Sequence, residues 1–515
     1  MAQIRLVRSF MTVGGWTLIS RIFGFIRDMM IAAYLGAGPV AEAFLVAFSL
    51  PNMFRRIFAE GAFNTAFVPI FAKKYQSDQG AEPFAQDAFS GLAWVLMALS
   101  VVAHFAMPWL VLAMASGFQG DARFDLAVSY GRICFPYILF ISLTALLSGV
   151  ANATGRFAAA AAAPVLLNLI LIAAMGLAQW QGWPMGLVQA WAVPLAGVAQ
   201  MALLWRAAAQ AGYRLRLGLP RLSPDVRRLI AVAGPAVLAG GVMQVNLLVG
   251  RQVASYHDGA IAWLSNADRL YQLPLGVIAV AIGVVLSAEL PRRLSAGDAV
   301  GGRAAFNRAS EFALMLVLPS AVGLVVLAGP IISVVYQRGA YSAEDAAATA
   351  QALMIYGLGL PAFAFQKVLQ PLFYAREDTR RPFRYAVTAM VVNLVLAVGL
   401  SPILGFSAAA WGTTLAAWAM VGQLWFGSRS MGETVMADAR LRQRAWRIFL
   451  ACVVMGGCLW GVMALWAPVV SGPGRYVHLM GLMGVSFVSY FGTGMAIGAF
   501  SIADFRRGLR RPPAP

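Results

Sequence analysis

Along the chain, apolar runs of roughly 20 residues or more alternate with short clusters of charge, glycine and proline. At 1.5 Å of rise per residue, each run is long enough to cross a hydrocarbon core about 30 Å thick as a helix. The two-residue alternation of a membrane β-barrel is missing. The pattern predicts fourteen spans, near 9–35, 41–72, 88–115, 126–152, 158–178, 185–205 and 229–255 in the first half of the chain. The second half supplies 260–290, 309–335, 346–373, 383–402, 406–427, 447–467 and 477–502. The expected fold class is an all-α polytopic membrane protein.

Composition points the same way. Hydrophobic residues make up 60% of the 515 positions and charged residues only 12%, which excludes an ordinary soluble enzyme. The net charge of +18, from 39 Lys and Arg against 21 Asp and Glu, would suggest nucleic acid in a soluble chain. Here it follows topology, and no nucleic-acid partner is expected. Connections on one side collect Lys73, Lys74, Arg214, Arg216, Arg221, Arg292, Arg293, Arg380 and Arg381, together with the tail arginines from Arg506 to Arg511. Arg440, Arg442 and Arg444 belong to the same side, in what reads as a solvated connection ahead of span 13. The opposite connections hold only Arg123, Arg338 and Arg475, so the positive-inside bias puts both termini in the cytoplasm. Arg21, Arg27 and Asp28 interrupt the first run, which lacks a small-residue cleavage site and is a span, not a signal peptide. Cys134, Cys452 and Cys458 all lie inside apolar runs and read as packing residues.

The first twelve spans repeat at an offset of about 220–225 residues. Pro136 matches Pro361, Asn168 matches Asn393, Arg27 matches Arg251, Pro51 matches Pro274 and Leu204-Trp205 matches Leu424-Trp425. Each unit holds an even number of spans, so the two copies are expected to be parallel six-helix repeats related by an axis along the membrane normal. They would form an N-lobe over 1–220 and a C-lobe over 221–445 around a central cationic cavity, with two further helices and a basic tail over 446–515. That is the architecture of an alternating-access transporter.

Basic residues at membrane depth are the candidates for function: Arg21, Arg27, Arg55, Arg56, Arg132, Arg251, Arg269 and Lys367. Each costs about 2.5–3.5 kcal/mol to insert at the centre of a span unless it faces protein or water. Arg21 lies about 18 Å from either end of its span, beyond easy snorkelling. Arg21, Gly24 and Asp28 share a helix face, whereas Arg27 is turned away from Arg21 by about 120°. Two readings stay open for this span: Arg21 and Arg27 line one wide cavity, or an Arg21–Asp28 or Arg27–Asp28 pair holds two helices together. In span 2, Pro51 and Gly61 bracket Asn52, Arg55, Arg56 and Glu60, with Arg56 and Glu60 spaced to pair along a helix. The second copy carries Asp268 and Arg269 close to Pro274. Arginines near a helix-breaking proline suit a multi-oxygen anion, because guanidinium binds phosphate bidentately and keeps its charge. Lone His104 reads as a packing residue, and no Ser-His-Asp set, carboxylate pair or metal-ligand spacing appears. No catalysis, cofactor or metal is therefore expected.

The segments Ser20 to Asp28, Ala41-Glu42-Ala43-Phe44, Leu50 to Phe63 and Ala267-Asp268-Arg269-Leu270 resemble those of the MurJ (MviN) lipid II flippases. The resemblance covers essentially the whole chain. It implies membership of the multidrug/oligosaccharidyl-lipid/polysaccharide exporter superfamily, in the cell inner membrane. It also implies that Arg27, Arg55 and Arg269 line a cationic cavity for the lipid II diphosphate, with Arg21 required as well. Glu42 stands where the family often has Asp, and spans 7, 11 and 12 contain no Asp or Glu, so the sodium site of some members is not expected. The implied activity is translocation of lipid II from the cytoplasmic to the periplasmic leaflet, with lipid II, membrane lipids and cell-wall synthesis and division proteins as partners. Two alternatives stand beside it: a flippase for another undecaprenyl-linked glycan or a drug antiporter of the same superfamily, and a membrane scaffold for wall-building enzymes.

Overall fold

The computed structural model describes residues 2–56, 64–77, 79–466, 472 and 474–500. Glu60, the rest of the 57–63 motif and the basic tail from 501 onward lie outside them. Helices in chain order are α1 Ala2–Leu35, α2 Pro39–Arg55, α3 Asn64–Gln76, α4 Ala81–Met114, α5 Ala122–Cys134 and α6 Tyr137–Ala153. Next come α7 Phe157–Gln181, α8 Met185–Gln210, α9 Pro224–Ser255, α10 Ala260–Ser295, α11 Ala299–Val326 and α12 Ala328–Val335. The last are α13 Ala343–Tyr374, α14 Arg380–Leu404, α15 Ser407–Ser428, α16 Ala439–Leu465 and α17 Gly474–Ala496. There is no strand among the described residues. Among the described residues, nine helical stretches, with α5 and α6 joined as one, are long and apolar enough to cross a membrane. The protein is thus an all-helical polytopic membrane protein.

Local chemistry sets many of the helix ends. Pro39 and Pro224 open α2 and α9, where a missing N–H costs nothing. Asp121, Asp298 and Asp438 cap α5, α11 and α16 through their carboxylates, and Ser342 with Asp345 forms a capping box on α13. In the connection before α5, the backbone N–H of Arg123 holds the Asp121 carboxyl below the usual carboxylate range. Gly182, with φ of 69°, ends α7 in a left-handed conformation.

Two compact units make up the chain, one comprising 1–262 with 338–341 and the other 263–337 with 342–515. In the first unit, Phe67, Phe71 and Phe84 stack at 5.5 and 5.3 Å within a core that includes Leu143, Leu147, Leu204 and Leu215. Buried amides tie its helices by reaching carbonyls: Gln200 Nε2 donates to Ala163 O at 2.8 Å, and Gln189 Nε2 to Leu171 O at 3.1 Å. The end of α9 joins this unit through Gln252, whose Nε2 donates to Leu112 O and Ala113 O and whose Oε1 accepts from the backbone and hydroxyl of Ser116. At Gly117 the backbone of Ser255 lies 2.5 Å from where a Cβ would stand, so only glycine permits this approach.

In the second unit, α11, α12, α16 and α17 share a core of Leu327, Ile448, Cys452, Met455, Leu459 and Tyr490. Tyr490 Oη donates to Met315 O at 2.7 Å. The region before span 13 departs from the sequence expectation. Helix α16 begins at Ala439, and Arg440 and Arg444 are not in a solvated loop but pair with Glu311 of α11, which also binds Arg308. In sequence these arginines read as part of a solvated connection; in the structure they open a helix, and a buried carboxylate on another helix gathers Arg440 and Arg444.

A second ionic group lies in the first unit. Arg123, 5% exposed, donates to Glu42 Oε2 at 3.0 Å, to Asp121 Oδ2 at 2.5 Å and to Asp258 Oδ1 at 2.9 Å, with its guanidinium 4.6 Å from the Phe118 ring centroid. Glu42, 1% exposed, also accepts from Ile261 N at 3.0 Å. Removing one member of a buried pair strands the other charge, at about 3–5 kcal/mol. Arg123→Gln is expected to lower the resistance of purified protein to heat in detergent by about that amount. Adding Glu42→Gln to Arg123→Gln should recover part of the loss; equal and additive losses in the two single variants would show that the contact carries nothing.

Candidate functional site

The sequence-derived arginines differ sharply in surroundings. Arg27, 6% exposed on α1, is held by three helices of the first unit. Its Nη2 donates to Asp28 Oδ1 at 2.7 Å, its Nη1 donates to Asn168 Oδ1 of α7 at 2.9 Å, and its guanidinium carbon lies 6.0 Å from the ring centroid of Phe48 on α2. Of the pairs expected with Asp28, Arg27–Asp28 is present, but it lies within α1, and it is Asn168 that links Arg27 to a second helix. Asn168 Nδ2 donates to Ser20 O at 3.0 Å, so one amide grips α1 at points two turns apart. Gly24 lies between them, its Cβ position 3.5 Å from Asn168 Nδ2.

On α2, Asn52 Nδ2 donates to Phe48 O at 2.9 Å, and Arg55 Nε reaches Asn52 Oδ1 at 3.4 Å. Pro51 sits inside this helix one residue earlier, where it removes a backbone donor. Arg21 and Arg56 are exposed, Asp28, Asn52 and Arg55 are half-buried, and Glu60 falls outside the described residues. The expected pairing of Arg56 with Glu60 falls outside them too.

In the second unit Asp268 is half-buried and accepts from Gln272 Nε2, while neighbouring Arg269 is exposed. Tyr271 packs on Tyr356 and Phe363 at 5.2 and 5.5 Å beside them. Lys367, Arg132 and His104 are exposed, with Arg132 Nε donating to His104 O at 3.1 Å, and Arg251 is half-buried. No group of three potential metal ligands occurs among the described residues.

Sequence reasoning missed Asn168 and Arg123 as partners. Asn168 was visible as an amide alone in an apolar span with a counterpart at Asn393, and that signal was read only as a repeat marker. Arg123 looked like a loop cation because its partners come from α2 and from the turn at Asp258, far away in sequence.

The chemistry available is anion recognition by guanidinium groups oriented by carboxylate and amide neighbours. The family model described as "Lipid II flippase MurJ" matches residues 31–478. A probable lipid II flippase MurJ of Rhizobium tropici is 42% identical, with 99% of this chain and 98% of that protein covered. The lipid II flippase MurJ of Burkholderia cenocepacia is 35% identical over 98% of this chain and 99% of its own length. Among solved structures, a lipid II flippase MurJ in an inward closed conformation aligns over 97% of this chain and 99% of that one, with a TM-score of 0.79 at 22% identity. An inward-facing multidrug transporter of the MATE family aligns over 81% of this chain and 95% of its own, with a TM-score of 0.68 at 15% identity. Matched by the family model over most of its length and by such relatives over nearly all of it, the chain belongs to the MurJ lipid II flippase family.

Proposed function

We propose that the protein carries lipid II across the cell inner membrane by alternating access of two parallel six-helix lobes, 1–220 and 221–445, among fourteen spans with both termini cytoplasmic. It is a lipid transporter and not an enzyme. In this reading Arg27, Arg55 and Arg269 receive the diphosphate. Arg21, Asp28, Asn52, Glu60 and Asp268 complete the polar lining, and the polyprenyl tail stays in lipid. The observation that carries the reading is Arg27: a buried guanidinium fixed by Asp28 and by Asn168 of a second apolar helix. Such a charge is costly to bury for packing alone, and its fork matches phosphate oxygens.

Each arginine is expected to contribute a charge-assisted contact of about 1.5–3 kcal/mol, so Arg27→Ala, Arg55→Ala or Arg269→Ala should weaken lipid II binding by roughly 10-fold to 150-fold. Lysine at these positions should restore the activity only partly, since it keeps the charge and loses the bidentate geometry. Asn168→Leu should lower translocation through misplacement of Arg27, and Asn168→Asp, which keeps the acceptor, should lower it less. Reconstituted translocation of lipid II, measured at matched protein levels, tests the set; normal rates in all three alanine variants would sink the diphosphate site.

Orientation has its own test. In a background without Cys134, Cys452 and Cys458, Gln119→Cys and Tyr256→Cys should react with an impermeant thiol reagent in intact cells, whereas Ser77→Cys and Ala296→Cys should react only after lysis. All four positions are exposed. The reverse pattern would invert the protein in the membrane.

A further inference from the structure

Residues 213–223 join α8 to α9 as an extended segment that is neither helix nor strand. It is fastened along α4 of the same unit. Arg216 N donates to Gln86 Oε1 at 2.9 Å, Gln86 Nε2 returns a bond to Arg216 O, and Gly218 N donates to Ser90 Oγ at 3.1 Å. Trp94 Nε1 donates to Gly218 O at 2.9 Å. Leu215 is sunk into the hydrophobic core of the unit, and the Tyr213 ring packs 5.3 Å from that of Phe71. The segment is therefore a fixed strap with defined faces.

Its outer face is unusual for a polar connection. Leu217, Leu219 and Leu222 are 55, 80 and 64% exposed, interleaved with the exposed Arg214, Arg216 and Arg221. The surface of α4 marks the depth at which they lie. Before Trp94 the helix carries Glu82, Gln86 and Asp87, and after it Val95, Val101, Val102 and Phe105 are exposed. Trp94 and, at the end of α8, Trp205 beside Phe89 stand at that change from polar to apolar, the layer that tryptophan favours in membranes. In water three such leucines are a liability; at the acyl–headgroup boundary they are buried. Of the acids near the strap, Asp225 is already paired with Lys74 at 2.9 Å, and Arg206, Arg227 and Arg228 add further exposed positive charge.

We infer that the 213–223 strap is an interfacial docking segment for anionic phospholipids, its leucines inserted at the acyl boundary and Arg214, Arg216 and Arg221 on headgroup phosphates. The inference rests on the orientation proposed above only for which leaflet is touched. The full-length protein, free of native cysteines and spin-labelled at Leu219→Cys, is reconstituted in phosphatidylcholine vesicles with and without phosphatidylglycerol. Oxygen should collide with the label more effectively than a water-soluble nickel chelate does, placing it at the boundary. Native mass spectrometry of the unlabelled protein should show retained phosphatidylglycerol over phosphatidylcholine. Arg214→Gln, Arg216→Gln and Arg221→Gln should each lower that preference about fivefold. A label open to nickel in both vesicle types, a label shielded from both colliders by protein, or a lipid preference unchanged in the triple variant would each overturn the inference. None of these readouts measures translocation, so a failed flippase assay leaves them intact and the reverse holds as well.

Discussion

A cation among apolar helices needs an acceptor supplied by the protein, because hydrocarbon offers none. Much of this structure can be understood from how that need is met. Arg123 meets it with carboxylates from α2, from the cap of α5 and from the turn at Asp258, and in doing so ties together segments far apart in the chain. Glu311 does the converse, gathering arginines from α11 and α16. Arg27 is met by Asp28 on its own helix and by Asn168 of α7, and Arg55 by Asn52 one turn away on α2. The first kind of pairing builds architecture. The second adds a partner from the same helix, one that keeps its place beside the guanidinium whatever the neighbouring helices do.

Packing supplies the remaining order. Where α9 meets the turn after α4, Gly117 lets backbone touch backbone, and Gln252 and Ser255 convert that closeness into hydrogen bonds. The same device recurs where Gly339 sits at φ of 60° with Ala33 O 2.2 Å from its Cβ position and Ala340 N donates to Ala33 O at 2.7 Å. Hydrophobic area is a weak guide to such contacts, since lipid tails are as apolar as the side chains they compete with.

That distinction explains what the sequence revealed. Hydropathy is a property of each helix alone, so the helical, membrane-spanning character and the polar interruptions at Arg27, Pro51 and Arg269 were legible directly. Contacts made at a distance were not. Nothing in the run around Arg123 announces Glu42, and nothing near Arg444 announces Glu311, because the pairing depends on packing and not on spacing. Asn168 was visible but mute: an amide in an apolar span signals a partner without naming it. Proline gave a partial answer as well, since α2 runs on through Pro51 and the Asn52 amide beside it turns back along the helix to donate to Phe48 O.

The double hold of Asn168 on α1 has a mechanical consequence. One side chain accepts from the guanidinium of Arg27 and donates to the carbonyl of Ser20, and the rigid amide plane fixes the angle between the two bonds. A small rotation of α1 about its axis cannot trade one bond for the other; it strains both together. The amide therefore acts on α1 like a detent on a shaft, holding it at one azimuth for as long as both bonds stand.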